Sequence, residues 1–152
     1  MSYDSDFVQW TRDQAAILRA LDPPPLGLDV DNLAEEIEAL GRLEISSMSQ
    51  HLYQLMHNLL MLASGAPDRN RWIRKAHAAQ TDVVLALSPG LSQHLDLART
   101  YRLARRGAVD MLAELHVQVP DFPAACPLTV EQLLDEDFDF PGAIKLLERG
   151  NG

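Results

Sequence analysis

Glu44, His51 and Asn58 recur every seven residues within "LEISSMSQHLYQLMHNLL" (residues 43–60). A carboxylate, an imidazole and an amide are groups that acid–base catalysis and metal binding use. Wound as a helix, they share a side with Met48, Leu55 and Leu62, so the chain aims them at its own core. At ~1.5 Å rise per residue, successive members lie about 10.5 Å apart, too far for the usual i, i+3 or i+4 ligands to share one ion. The Glu-x-x-His of di-iron bundles, His-x-x-x-His on one helix face and any cysteine pair are absent. There is no nucleophile elbow, Gly-rich phosphate loop or paired-carboxylate signature either. The pattern therefore implies no metal and no cofactor. Whether the chain is an enzyme stays open.

The same residues have a structural reading. Arg102, Arg105 and His94 fall on an otherwise apolar stripe with Tyr101, Ala108 and Leu112. An unpaired buried charge is very costly, whereas an arginine–carboxylate fork satisfies several donors at once. The expectation is an interhelical pair between Arg105 (or Arg102) and Glu44 (or Glu36), with His51 and Tyr101 beside it. Gln14, in the middle of the first apolar stripe, reads as a buried amide. The alternative is a polar cleft bordered by Gln14, Glu36, Glu44, His51 and Arg105, serving an enzyme or a small-ligand binder.

About five helical blocks must position these groups, with no strand-like alternation and no internal repeat. In the first, Asp4 or Ser5 offers an N-cap, and Phe7, Trp10, Gln14, Ile17, Leu18 and Leu21 form the stripe before "DPPP" stops it. The second runs over roughly 32–63, entered through Asn32-x-x-Glu35 or through Asp29 or Asp31, with a bend expected near Gly41. Its stripe is continuous through Leu33, Ile37, Leu40, Glu44, Met48, His51, Leu55, Asn58 and Leu62. A third block spans about 69–87. The fourth, about 89–117, is expected to start with Ser88 as cap and Pro89 in the first turn. A proline-rich connector then packs Phe122, and Thr129 with Gln132 opens a short helix through a capping box. Cys126, with no basic neighbour, reads as packing.

With 152 residues and 47% hydrophobic composition, the chain suits one globular domain. The net charge of −9 repels phosphate backbones and disfavours nucleic acid, although basic residues gather at 69–75 and 99–106. One cysteine permits no intrachain disulfide, and no apolar stretch approaches the ~20 residues that span a bilayer. The N-terminal stretch lacks the pattern of a signal peptide. These features point to the cytoplasm and away from a membrane.

Taken together, "YDSDFVQWTRDQAAILR", "DNLAEEIEALGRLE", "TYRLAR" and "FPAACPLTVEQLLDEDF" resemble, in order, a family of cyanobacterial and proteobacterial proteins known only as domain-of-unknown-function family twenty-nine. The resemblance covers most of residues 3–138. It takes in Asp6, Phe7, Trp10 and Gln14, then Glu35, Glu36, Gly41 and Glu44, then Tyr101 and Arg105, and finally Cys126 and Asp135. Residues 64–88 depart from the family's pattern, and the stretch after Pro141 looks like an addition. The resemblance implies an all-helical fold and carries no activity with it.

The expectation is an all-α single domain over residues 1–141, a bundle with two long antiparallel helices under shorter ones. Residues 142–152 form a tail whose order the sequence does not determine. The leading function is an interaction or accessory module, as a homo-oligomer or with a protein partner. The candidate polar network or cleft is Gln14, Glu36, Glu44, His51, Asn58, Tyr101, Arg102 and Arg105.

Overall fold

The computed structural model describes residues 2–149. The chain is all-α, with six helices and no strand among the described residues: α1 Phe7–Arg19, α2 Val30–Ala63, α3 Arg69–Ala86, α4 Leu97–Glu114, α5 Val130–Leu134 and α6 Phe140–Glu148. It divides into two compact units. The first comprises Met1–Met48 and Leu87–Leu95, the second Ser49–Ala86 and Asp96–Gly152. The continuous helix α2 gives its first part to one and its remainder to the other.

In the first unit, the cap of α1 is Asp6, one residue after Ser5 and two after Asp4. Asp6 accepts from the Gln9 backbone N–H at 2.9 Å and satisfies one of the donors that a helix start leaves free. Asp29 caps α2 by accepting from the Asn32 backbone N–H. Gly41 marks no break, because α2 is helical throughout. Its lack of a side chain allows close approach instead, since a Cβ there would collide with Thr11 Oγ1. Thr11 is itself buried and held by the Val8 carbonyl at 2.7 Å. Thr11 lies against Gly41, while Arg19, two turns further along α1, pairs with Glu38, earlier in α2. The two helices therefore run antiparallel.

The α1 stripe is not where periodicity alone would put the core. Val8, Thr11 and Ala15 are the buried residues, while Ile17 is 57% exposed and Phe7, Trp10 and Gln14 are half-buried. Small residues allow α1 to approach α2 closely, and the bulky ones are left beside the contact.

The second unit is more densely packed. Leu52, Leu55, Met56, Leu59, Leu60, Met61 and Leu62 of α2 are all buried, with Trp72, Ala76 and Val83 of α3 and Tyr101, Ala104, Ala108 and Leu112 of α4. A Cβ on Gly107 of α4 would strike the Tyr53 hydroxyl, and Tyr53 stacks on His57 at 6.0 Å. Phe122 is buried, as expected of the connector. The Thr129–Gln132 capping box is formed in full. Gln80 donates from Nε2 to the Asp135 carbonyl at 2.6 Å and so ties α3 to the end of α5.

Two expectations are corrected. The fourth block does not start at Ser88–Pro89. Gly90 adopts a left-handed φ of 78°, a 3-10 turn covers Leu91–His94, and α4 opens at Leu97 under an Asp96 cap. Part of the supposed tail is also regular: Asp139 caps α6, whose Ala143 and Leu147 are buried. Residues 150–152 of that tail lie outside the described residues.

Candidate functional site

The residues of the expected polar network belong partly to the first unit and partly to the second. Glu44 belongs to the first unit and accepts from the Ser88 hydroxyl at 3.0 Å. Arg105 belongs to the second unit, where its Nε is buried without a hydrogen-bond partner, and it enters no ion pair among the described residues. Arg102 and Glu36 are exposed, and Gln14 and His51 are half-buried. Asn58 is buried and donates to the Gln54 carbonyl of its own helix at 2.7 Å. Tyr101 is buried and donates to the Pro123 carbonyl at 2.6 Å. Helical stripes name a direction, but Glu44, Asn58 and Tyr101 bond to Ser88, Gln54 and Pro123 rather than to one another.

The buried polar contact that the sequence reading missed is Asp6 with His94. His94 Nε2 lies 3.0 Å from both Asp6 carboxylate oxygens, and Nδ1 lies 3.4 Å from Arg12 Nη1. Burial works against the Asp6 charge, but the Gln9 N–H, His94 and Arg12 together outweigh it and hold the carboxyl below its usual range. The signal was present, because Asp6-x-x-Gln9 has the spacing of a helix start. The contact ties the 3-10 turn to the head of α1.

Around that anchor, the pair α1–α2 is two-sided. On one face Arg19 grips Glu38 with contacts of 2.6 and 3.3 Å, and Arg42 reaches Glu35 at 2.6 Å and Glu38 at 3.8 Å. The hydrogen bond from Arg19 is the main reason that the Glu38 carboxyl titrates lower than usual. On α1, Phe7, Trp10, Gln14 and Ile17 lie about a quarter turn from the buried line Val8–Thr11–Ala15. On α2, Leu33, Leu40 and Glu44 lie about a quarter turn, in the same sense, from the buried Ala34 and Gly41. Because the helices are antiparallel, equal turns bring both lines to one face. A hollow of about 380 Å³ lined by Tyr3, Asp4, Phe7, Glu44, Ser88 and Pro89 straddles both helices there. Tyr3 packs edge-on against Phe7 and Trp10, with ring centroids 5.3 and 5.0 Å away.

This face is partly exposed. Leu33 is 40% exposed, Leu40 51% and Tyr3 58%. Scattered exposed apolar residues are ordinary, whereas these are aligned across two helices.

The second unit has its own hollow of about 530 Å³, between α3 and α6. Ile73, Ile144 and Phe138 line it, and His77 stacks on Phe140 at 3.9 Å. Burial pushes His57 down against hydrogen bonds to Asn58 and Gly107 that raise it. It likewise pushes the Cys126 thiol up, and Cys126 packs with its sulfur 4.0 Å from that of Met56. A thiol held protonated in this way is a packing group. Among the described residues, no group of three or more His, Cys, Asp or Glu could hold a metal ion.

Residues 2–139 match the model of the family described as domain of unknown function DUF29. The chain belongs to that family. The family model covers α1 to α5 and stops before α6. The fold is similar to the crystal structure of an α-helical protein of unknown function from Rhodospirillum rubrum, with a TM-score of 0.83 and 29% identity over 97% of this chain and 98% of that one. No curated protein matches the chain. An uncharacterised helical protein is therefore what both the family and the neighbouring structure describe. No helix among the described residues is long and apolar enough to cross a membrane.

Proposed function

We propose that this member of the DUF29 family is an interaction module of the cytoplasm that docks a protein partner on the exposed apolar face of α1 and α2. One observation carries the reading: Ile17 of α1 and Leu33 and Leu40 of α2 stay exposed to one side of the α1–α2 contact, with Phe7, Trp10 and Ile37 half-buried among them. A two-helix layer buries one side of each helix, and the remaining apolar side is satisfied by another layer. The aromatic cluster Tyr3–Phe7–Trp10 supplies the kind of anchor on which interface energy concentrates. Gln14, Glu36 and Glu44 are the polar groups of this face, and in this reading they serve specificity rather than catalysis. The single free cysteine and the absence of a spanning helix among the described residues suit a reducing, aqueous compartment.

The test compares wild-type chain with a Leu33→Asp/Leu40→Asp variant as baits in an extract of the source cells, followed by reconstitution from purified components. A stoichiometric partner, or self-association, that is lost in the variant supports the reading. Equal retention by both forms, with the variant folded by circular dichroism, removes it.

A further inference from the structure

The charge on the exposed face says what kind of partner it takes. Asp4, Glu36 and Glu44 lie on or beside it, and no lysine or arginine of α1 or of the first part of α2 does. The cations of these helices are on the opposite face: Arg19 and Arg42 are paired with Glu35 and Glu38, and Arg12 stands next to His94. Glu36 and Glu44 are eight positions apart, so ~12 Å separates them along the helix. They flank Leu40, with Leu33 one turn before Glu36. The hollow at one end combines the Tyr3 and Phe7 rings with the Asp4 and Glu44 carboxylates. Aromatic faces beside carboxylates attract a cationic side chain with an aliphatic stem.

Resting on the docking face proposed above, we infer that the occupant is a basic amphipathic helix of another protein. It would lay an apolar stripe between the α1 and α2 stripes, with lysines or arginines about two turns apart meeting Glu36 and Glu44. Two parallel rows of apolar residues at i, i+3, i+7 spacing leave between them the groove into which a third helix packs at 8–10 Å. A second copy of this chain would instead bring the same acidic rim against itself. The net charge of −9 also speeds encounter with a basic partner.

The experiment uses two synthetic peptides of about 18 residues, one of leucine and lysine and one of leucine and glutamate, both patterned to be amphipathic helices. Binding to the full chain is titrated at about 0.15 M salt, where surface attraction beyond ~8 Å is screened. The leucine–lysine peptide is expected to bind saturably, one per chain, and the leucine–glutamate peptide at least about tenfold more weakly. Glu36→Lys, at an exposed position, should cost about tenfold, and Glu36→Lys/Glu44→Lys should reverse the preference. Leu33→Ser/Leu40→Ser should weaken the lysine peptide as strongly. Asp110→Lys/Glu114→Lys makes the same charge change on α4 and should move affinity less than about threefold. An equal effect of the α4 pair overturns the charge assignment. So do equal binding of both peptides and binding of neither. If the leucine variants still abolish binding of both peptides, the docking face stands while its proposed occupant falls. A wild-type dimer that Leu33→Ser/Leu40→Ser dissociates in sedimentation assigns the face to a second copy and overturns the inference.

Discussion

His94 meets Asp6 edge-on, its Nε2 equidistant at 3.0 Å from the two carboxylate oxygens, while the same carboxylate caps α1 through Gln9. One buried side chain thus starts a helix and anchors a turn more than eighty residues away in sequence. Asp6→Ala removes the cap and leaves the imidazole unpartnered, for an expected loss of about 1–3 kcal/mol in chemical denaturation. Asp6→Asn keeps a capping oxygen and should cost less. The folded-state pKa of Asp6 is depressed, so its stabilisation is complete above the ordinary value of 3.8 and is lost as pH falls through the lower folded value. The gap between wild type and Asp6→Ala should therefore narrow on acidification. A gap of the same size near pH 3 and near pH 7 would refute the assignment.

Gly41 is expected to resist the substitution that helix propensity favours. Alanine is worth up to about 1 kcal/mol over glycine inside a helix. Here its Cβ meets Thr11 Oγ1, a group held in place by the Val8 carbonyl. Gly41→Ala should destabilise the chain by roughly 1–3 kcal/mol, through overpacking at the α1–α2 contact. In a Thr11→Ala background most of that penalty should vanish, so a double-mutant cycle should give a coupling above about 1 kcal/mol. Stabilisation of the otherwise unaltered chain by Gly41→Ala would show that the two helices are not tightly apposed.

Tyr101→Phe leaves the Pro123 carbonyl without its 2.6 Å donor in a buried place, for an expected cost of about 1–2 kcal/mol. Burial, reinforced by Cys126 and opposed by Arg105, raises the Tyr101 phenol to about 12. The unfolded chain ionises this group near 10, so its stabilisation is whole below that pH and declines as pH rises towards 12. Alkaline denaturation curves should be shallower over that window for Tyr101→Phe than for wild type. Identical slopes would remove the phenol from the account.

Leu33→Ser and Leu40→Ser should each change stability by less than about 0.5 kcal/mol, because both side chains keep 40% or more of their surface exposed. Leu55→Ala, about two to three heptads further along the same stripe and fully buried, should cost about 2–5 kcal/mol. Thermal melts of the three variants test this contrast. A loss of several kcal/mol in Leu33→Ser would mean that the face is core in solution.

Residues with a one-dimensional signature were readable from the chain. The Thr129–Gln132 box was anticipated because a capping side chain reaches only a few positions, while α2 took Asp29, an alternative to the Asn32–Glu35 box, as its cap. Phe122 and Cys126 packed as expected, since apolar or unactivated side chains among prolines have little else to do. The candidate site was less legible. Glu44, Asn58 and Tyr101 all bond to partners that periodicity cannot supply, namely a hydroxyl forty-four positions away, the carbonyl one turn back and a connector carbonyl. The start of the fourth helix moved to Leu97 because Gly90 turns left-handed, and a cap-and-proline rule does not foresee that.

By itself, the sequence determined that this chain is helical, roughly where five of its six described helices run, and at what angle each apolar stripe stands on its helix. It also carried the family membership. Tertiary structure alone decided which stripes are covered. The α2 stripe is periodic from Leu33 to Leu62, yet Leu33 and Leu40 are exposed while Met48, Leu55 and Leu62 are buried. Periodicity records an angle about one axis, a local property of the backbone. Burial depends on which distant segments return to that side, and the hydrophobic effect is non-directional, so it favours any cover and specifies none.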